Sequence, residues 1–155
     1  MQPDEEIRYL ILATQREGNR TLVEALRPLG ITPSQAEALR ILQEFQPLSL
    51  VELGELLVCE AGSPSRLVAG LVDAGLVERT TSTADARKVT LMVTKKGQEV
   101  ASQVTLVEAH LYDLINPILQ DVSIEDIIAT LWRLVEDRPA GKALARRFGR
   151  KQHPL

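Results

Sequence analysis

The sequence predicts a mainly α-helical fold with one small β-hairpin. Three observations predict it. Most of the chain carries apolar residues at helical spacing. One stretch near the middle changes to an alternation of period two. Hydroxyl residues followed by proline or a carboxamide punctuate the stretches where helices would begin.

Residues 4–29 read as the first helix. Ile7, Leu10, Ile11 and Thr14, then Leu22, Val23 and Leu26, recur at helical spacing, with Gly18 as a weak point and Pro28 and Gly30 closing it. In ITPSQAEALRIL, Thr32 is the candidate cap of a second helix, Pro33 suits its first position, and Gln35 completes a capping box. Its apolar stripe is Ala38, Leu39, Leu42 and Phe45, with Ile41 at the edge; Pro47 stops it. Ser49 caps a short third helix over 50–57, with Val51, Leu53, Leu56 and Leu57 on its buried side. Residues 58–62 form a turn. Ser63-Pro64 starts a fourth helix that runs to about Ala74, with Gly75 as its stop. Leu67, Val68, Leu71 and Val72 are its apolar stripe, and Arg66, Ala69, Gly70 and Asp73 lie on its other side.

Leu76 to Thr80 is then a short strand, 81–86 a loop, and Lys88 to Val93 the returning strand of a hairpin. Thr94 caps a long helix through about residue 116, striped by Val100, Val104, Val107, Leu111, Leu114 and Ile115, until Pro117 kinks or ends it. Ser123, with Asp126 three residues on, starts a last helix carrying Ile124, Ile127, Ile128, Leu131, Leu134 and Val135, which Pro139 ends. The basic tail beyond reads either as a short helix or as a disordered segment. A short helix, a tight turn, a capped helix and a hairpin in this order spell a winged helix-turn-helix. The expected organisation is a winged helix-turn-helix lobe at 32–98, flanking helices at 4–31 and 99–139 forming a dimerisation arm, and a basic tail at 140–155.

Composition narrows the function classes. Of 155 residues, 45% are hydrophobic and 25% charged, in the ordinary range for a globular protein. No run of about 18 uncharged apolar residues is present, so no membrane span is expected. The N-terminus is acidic where a secretory signal would be basic. The single cysteine excludes an internal disulfide and fits a reducing cytoplasm. The sequence shows no nucleophile–base pair and no glycine-rich phosphate loop after a strand. His110 and His153 stand apart from any Cys/His/carboxylate spacing that would hold a metal. Neither an enzyme, a cofactor nor a metal is therefore expected.

The net charge of −3 conceals a pattern. Residues 62–98 hold 6 Lys/Arg against 3 Asp/Glu, and residues 142–155 hold 5 against none, within an otherwise acidic chain. Such islands are either a footprint for a polyanion or local solubility charge. The first of them covers the helix-turn-helix and the hairpin. In such a module the second helix of the turn enters the DNA major groove, and its first residues reach base edges. Ser63, Ser65 and Arg66 occupy that start. Arg66 can bond a guanine bidentately, and the serines can reach bases or phosphates. The small Ala69 and Gly70 would let the helix lie deep, although a solvated helix with poor formers reads the same way. In the hairpin loop, Arg87 and Lys88 suit the negative potential of the minor groove, and Asp85 can orient the Arg87 guanidinium. The plainer reading is a surface Asp–Arg pair of little energetic consequence.

Apolar-striped helices flank the module on both sides and cannot bury everything against it. Ile7, Leu10, Ile11, Leu111, Leu114, Ile128 and Leu131 are the candidate dimer interface; the alternative is packing within one chain. A two-fold dimer would set two recognition helices about one DNA turn apart. Cys59 reads as a redox switch or as a buried, inert small hydrophobe. Tyr9, Tyr112 and Trp132 read as the lining of a ligand pocket or as packing.

Together these pieces resemble one family. The order L-S-x-x-E-L, S-R-L-V, A-G-L-V-E-R, a D-x-R wing and L-x-x-T-x-x-G, running without a gap from Leu48 to Gly97, resembles the MarR family of winged-helix transcription regulators. The flanking helices match in order and length. The resemblance implies a homodimer built from the first and last two helices, binding double-stranded DNA and repressing nearby genes until a small-molecule effector or an oxidant relieves it. It puts Ser63, Ser65 and Arg66 on the recognition helix and Asp85 and Arg87 in the wing motif. Two departures stand out. Ala69-Gly70 replaces the larger polar residues common there, which implies few base contacts, and the tail is long and basic. The alternative function is a winged helix that binds proteins rather than DNA.

Overall fold

Hydroxyl side chains and prolines open the helices of this protein, as its spacing of polar and apolar residues requires. The computed structural model describes residues 2–58, 63–81 and 89–149. In chain order the elements are α1 (Pro3–Leu26), α2 (Pro33–Phe45), α3 (Leu50–Leu56), α4 (Pro64–Asp73), β1 (Val77–Thr81), β2 (Val89–Val93), α5 (Lys95–Ile115), α6 (Ile124–Val135) and α7 (Pro139–Arg147). Two capping boxes form. Thr32 Oγ1 accepts the Gln35 N–H at 3.3 Å while Gln35 Oε1 accepts the Thr32 N–H at 2.9 Å. Ser49 and Glu52 exchange the same pair of bonds at 3.2 and 2.7 Å. Thr94 and Ser123 each accept one amide from the first turn of α5 and α6. These bonds satisfy helix-end N–H groups that have no partner within the helix.

The core gathers around α2. Ala38, Leu39, Ile41 and Leu42 pack with Leu53 and Leu56 of α3, Val68 and Leu71 of α4, and Leu76, Val77, Leu91 and Val93 of the hairpin. On its other side Ala36 meets Leu26 of α1 and Val104 of α5. Helix α2 is thus buried on two faces and ties the helix-turn-helix to the flanking helices. Ile41, expected at the edge of the stripe, is fully buried. Ala36 was not in the expected stripe, because alanine carries little hydrophobic signal; the close approach of α1 and α5 buries it.

The hairpin is antiparallel, with Val77 opposite Val93 and Thr81 opposite Val89. The backbone of Leu48 pairs with Leu91 on the outer side of β2, the Leu91 N–H reaching the Leu48 carbonyl at 2.7 Å. Gln46 Oε1 then accepts the Val93 N–H at 2.8 Å. This third segment satisfies a strand edge that would otherwise stand open. At the base of the hairpin, α5 comes so close that a Cβ on Gly97 would run into the Leu76 carbonyl and lie 2.7 Å from Val93 Cγ1. Only glycine fits there.

The C-terminal region departs from expectation. Helix α6 ends at Val135, and Pro139 opens α7 rather than ending its predecessor. A disordered reading of the tail does not hold over 139–149. Helix α7 turns back and packs on α3 as well as on α6, burying Gly141, Ala143 and Ala145. The corner is tight: a Cβ on Gly141 would collide with the Val135 carbonyl. Helix α6 itself buries no residue, and α1 buries only Leu26. Among the described residues no helix is long and apolar enough to cross a membrane.

Candidate nucleic-acid interface

Helix α4 owes its position to its apolar stripe. Val68 and Leu71 are buried in the core, Leu67 and Val72 half-buried beside them. The opposite side of its first turn therefore faces water. Ser63 sits at the N-cap in extended conformation, as its sequence position suggests, but its hydroxyl makes no capping bond. Its carbonyl instead receives the Arg66 and Leu67 amides at 2.9 and 3.2 Å. Ser63, Ser65 and Arg66 are all exposed on this turn. Among the described residues, none forms an ion pair with Arg66. Two hydroxyls and one guanidinium thus project from the positive end of a ten-residue helix.

Gly70 is placed differently from the sequence reading. It is half-buried, and a Cβ there would lie 3.3 Å from Nε2 of Gln35, the capping side chain of α2. The position thus faces the end of the Gln35 side chain of α2 as well as solvent. The bare stretch of the helix narrows to Ala69, itself half-buried. The wing residues Asp85, Arg87 and Lys88 lie outside the described residues, as do Cys59 and His153. The strands that bear the wing are described, with Glu78, Arg79, Thr80 and Thr81 exposed along β1.

The candidate interface residues of the arm are largely open to solvent. Ile7, Leu10 and Ile11 on α1, Leu114 on α5, and Ile128 and Leu131 on α6 are exposed, and Leu111 is half-buried. The apolar surface extends further than the sequence choice, to Leu106, Ile115, Ile118, Ile124, Ile127 and Leu134. None of the three candidate pocket aromatics joins the core. Tyr9 is exposed with the Arg8 guanidinium 4.1 Å above its ring, and Trp132 is half-buried. Tyr112 lies on the exposed side of α5, where partial burial and then the Glu108 carboxylate push its phenol above the usual range, against the pull of Arg40 and Arg147.

Charged side chains link the lobe to the helices around it. Arg40 of α2 meets Glu108 of α5 at 3.4 Å. Arg147 at the end of α7 meets Glu37 of α2 at 2.8 Å, and Glu37 also accepts the Val58 N–H at 3.0 Å. Arg146 approaches Glu55 of α3 at 3.6 Å. Sequence reasoning missed these pairs because each joins residues far apart in the chain. The one available signal was the adjacent arginine pair in the tail, which is held at the lobe rather than extended from it.

Comparison with known proteins agrees with this architecture. The MarR family model matches residues 31–89, from the start of α2 to the returning strand. The organic hydroperoxide resistance transcriptional regulator of Bacillus subtilis is 29% identical over 97 residues, covering 63% of this chain. The chain spans just under two thirds, 66%, of that relative's length. Among solved structures, a cysteine-to-serine variant of MarR from E. coli complexed with operator DNA is 28% identical, with a TM-score of 0.67, over 88% of this chain and 98% of that one. The S. aureus MepR–DNA complex shares the fold at a TM-score of 0.76 and 20% identity, over 84% of this chain and 96% of that one. The family match across the helix-turn-helix and hairpin, and a fold shared along most of the chain, make this chain similar to the MarR family of transcription regulators.

Proposed function

We propose that the protein is a homodimeric, sequence-specific DNA-binding repressor of the cytoplasm, relieved by a small ligand. The observation that carries the DNA-binding reading is the exposed first turn of α4, presenting Ser63, Ser65 and Arg66 together. In the major groove Arg66 bonds a guanine edge while the serines hold base edges or phosphates, helped by the positive end of the helix. Arg87 and Lys88 of the wing enter the minor groove, with Asp85 orienting Arg87. Residues 32–98 are the DNA-binding lobe in this reading, and 4–31 with 99–139 the dimerisation arm.

Dimerisation is supported by α6. An amphipathic helix with five exposed large aliphatics and no buried residue has no reason to be folded beside water alone. A second copy supplies the missing cover for α1, α5 and α6. Relief by a small ligand follows from the family resemblance, and the solved E. coli relative with its operator supports DNA as the partner.

Fluorescence anisotropy tests the reading. The protein is titrated with duplex DNA from upstream of its own gene and with a scrambled duplex, over a salt series. Specific binding runs about 10³–10⁷ tighter than non-specific binding and weakens steeply with salt. A preference of that order supports the proposal. Absence of binding at low salt, both to these duplexes and to a random DNA pool, overturns it in favour of a protein-binding winged helix.

A further inference from the structure

Helix α7 has no part in the DNA contacts proposed above, yet it reaches the segment that leads to them. Its buried side, Gly141, Ala143 and Ala145, has side chains of one methyl or none, so α7 lies close against α3 and α6. The Gly141 corner, which admits no Cβ beneath the Val135 carbonyl, directs it there. At its far end Arg147 places Nη1 2.8 Å from Glu37 Oε1. That oxygen also accepts the Val58 N–H at 3.0 Å. Three separate segments therefore converge on one carboxylate: the end of α7, the first half of α2, and the chain just past α3. The Glu37 side chain is only 11% exposed and that of Arg147 24%. Val58 lies six residues before Pro64, where α4 begins.

The physics assigns unequal weights to the two arginines. A carboxylate this buried needs a compensating charge, and removing its partner is costly. The neighbouring Arg146–Glu55 pair is longer, at 3.6 Å, and both its side chains are about half exposed, so water screens it. The structural anchor is Arg147.

We propose that α7 is a strut and Arg147 a positioning residue for the recognition helix: through Glu37 it holds the exit of α3 at Val58, and so sets how α4 is presented to DNA. The strut joins α6 of the arm to α3 of the lobe. The inference rests on the DNA-binding reading, and its test separates the two.

Operator affinity is measured over a salt series for the wild type, Arg147→Ala, Arg147→Lys, Arg146→Ala and the double variant Glu37→Gln/Arg147→Ala. Hydrogen exchange of the peptides spanning Val58 and α4 is followed in parallel, without DNA. Arg147→Ala is expected to lower affinity roughly three- to thirtyfold, the range for residues that act through others. Its salt slope stays unchanged, because Arg147 touches no phosphate, and exchange at Val58 quickens. Arg147→Lys recovers part of the affinity and Arg146→Ala matches the wild type. The double variant, with its buried charge neutralised, regains thermal stability but not affinity. Four results overturn the proposal: wild-type affinity in Arg147→Ala; a salt slope shallower by about 0.9, which marks a lost phosphate contact; affinity restored in the double variant; or unchanged exchange at Val58. Should the wild type itself bind no DNA, the repressor reading fails alone, and exchange at Val58 and α4 still decides whether the strut exists.

Discussion

Replacing Ile128 and Leu131 of α6 with alanine should separate the proposed dimer. On the single chain the two residues are 42% and 48% exposed, and α6 buries nothing. Each substitution removes three carbons, and a buried methylene is worth about 0.8 kcal/mol. Roughly half of each side chain is still open, so covering it against a partner is worth about 1 kcal/mol. A two-fold axis repeats both contacts in the other protomer, which brings the loss to about 4 kcal/mol. At about 1.4 kcal/mol per tenfold, the dimer Kd should rise about a thousandfold. Within one chain both positions are solvent-exposed, where substitutions change fold stability by only about 0.5 kcal/mol. Sedimentation equilibrium reads the association, and far-UV circular dichroism at matched protomer concentration reads the helices. A variant that keeps a Kd within tenfold of wild type refutes the assignment of α6 to the interface. So does a wild-type protein that sediments as a monomer.

Three further outcomes are expected. Arg66→Ala should relax preference at one base position in each half-site by about 1–3 kcal/mol, read from binding to single-base operator variants; a uniform loss across all positions would instead mark Arg66 as a phosphate contact. Gly97→Ala should destabilise the fold by about 1–3 kcal/mol in urea unfolding. Alanine gains about 1 kcal/mol in helix propensity, but the rigid Leu76 carbonyl occupies the space its Cβ needs. A higher urea midpoint would show that α5 can move away from the hairpin. Tyr112 should titrate above the ordinary phenol value of 10.0, measured by phenolate absorbance in a Tyr9→Phe background, where it is the one remaining tyrosine. A folded-state pKa raised above the unfolded one means that the folded state holds its proton longer. Its contribution to stability is therefore complete below pH 10 and is lost as pH rises through the folded value. Tyr112→Phe should flatten that alkaline decline, and an unaltered decline would exclude Tyr112 as its source.

Much of the fold is legible in the sequence because its signals are local. Thr32, Ser49, Thr94 and Ser123 each cap the helix that follows, since the bond they accept comes from an amide three residues ahead. The apolar stripe of α4 and the pairing of the hairpin likewise follow from spacing within one element. So does the exposure of Ser63, Ser65 and Arg66, which lie opposite the stripe. The misplaced features all depend on a second element. Gly70 looks bare along its own helix, and only the arrival of Gln35 from α2 shows that it is partly covered. Ile41 reads as an edge residue until α3, α4 and the hairpin close over α2, and Pro139 reads as a stop until α7 is seen to pack on α3 and α6.

The sequence alone determined the order of the elements as far as α6, the caps at Thr32, Ser49, Thr94 and Ser123, and the polar turn that faces DNA in the proposed function. Each of these is settled within a few residues by backbone hydrogen bonding and by the helical or strand period. Only the tertiary structure decided that α2 serves two cores, that Leu48 closes the edge of β2, and that α7 returns to bring Arg147 onto Glu37. Those contacts join residues up to 110 positions apart. Nothing in local periodicity encodes such a distance, because it is set by how the whole chain fills the space around its core.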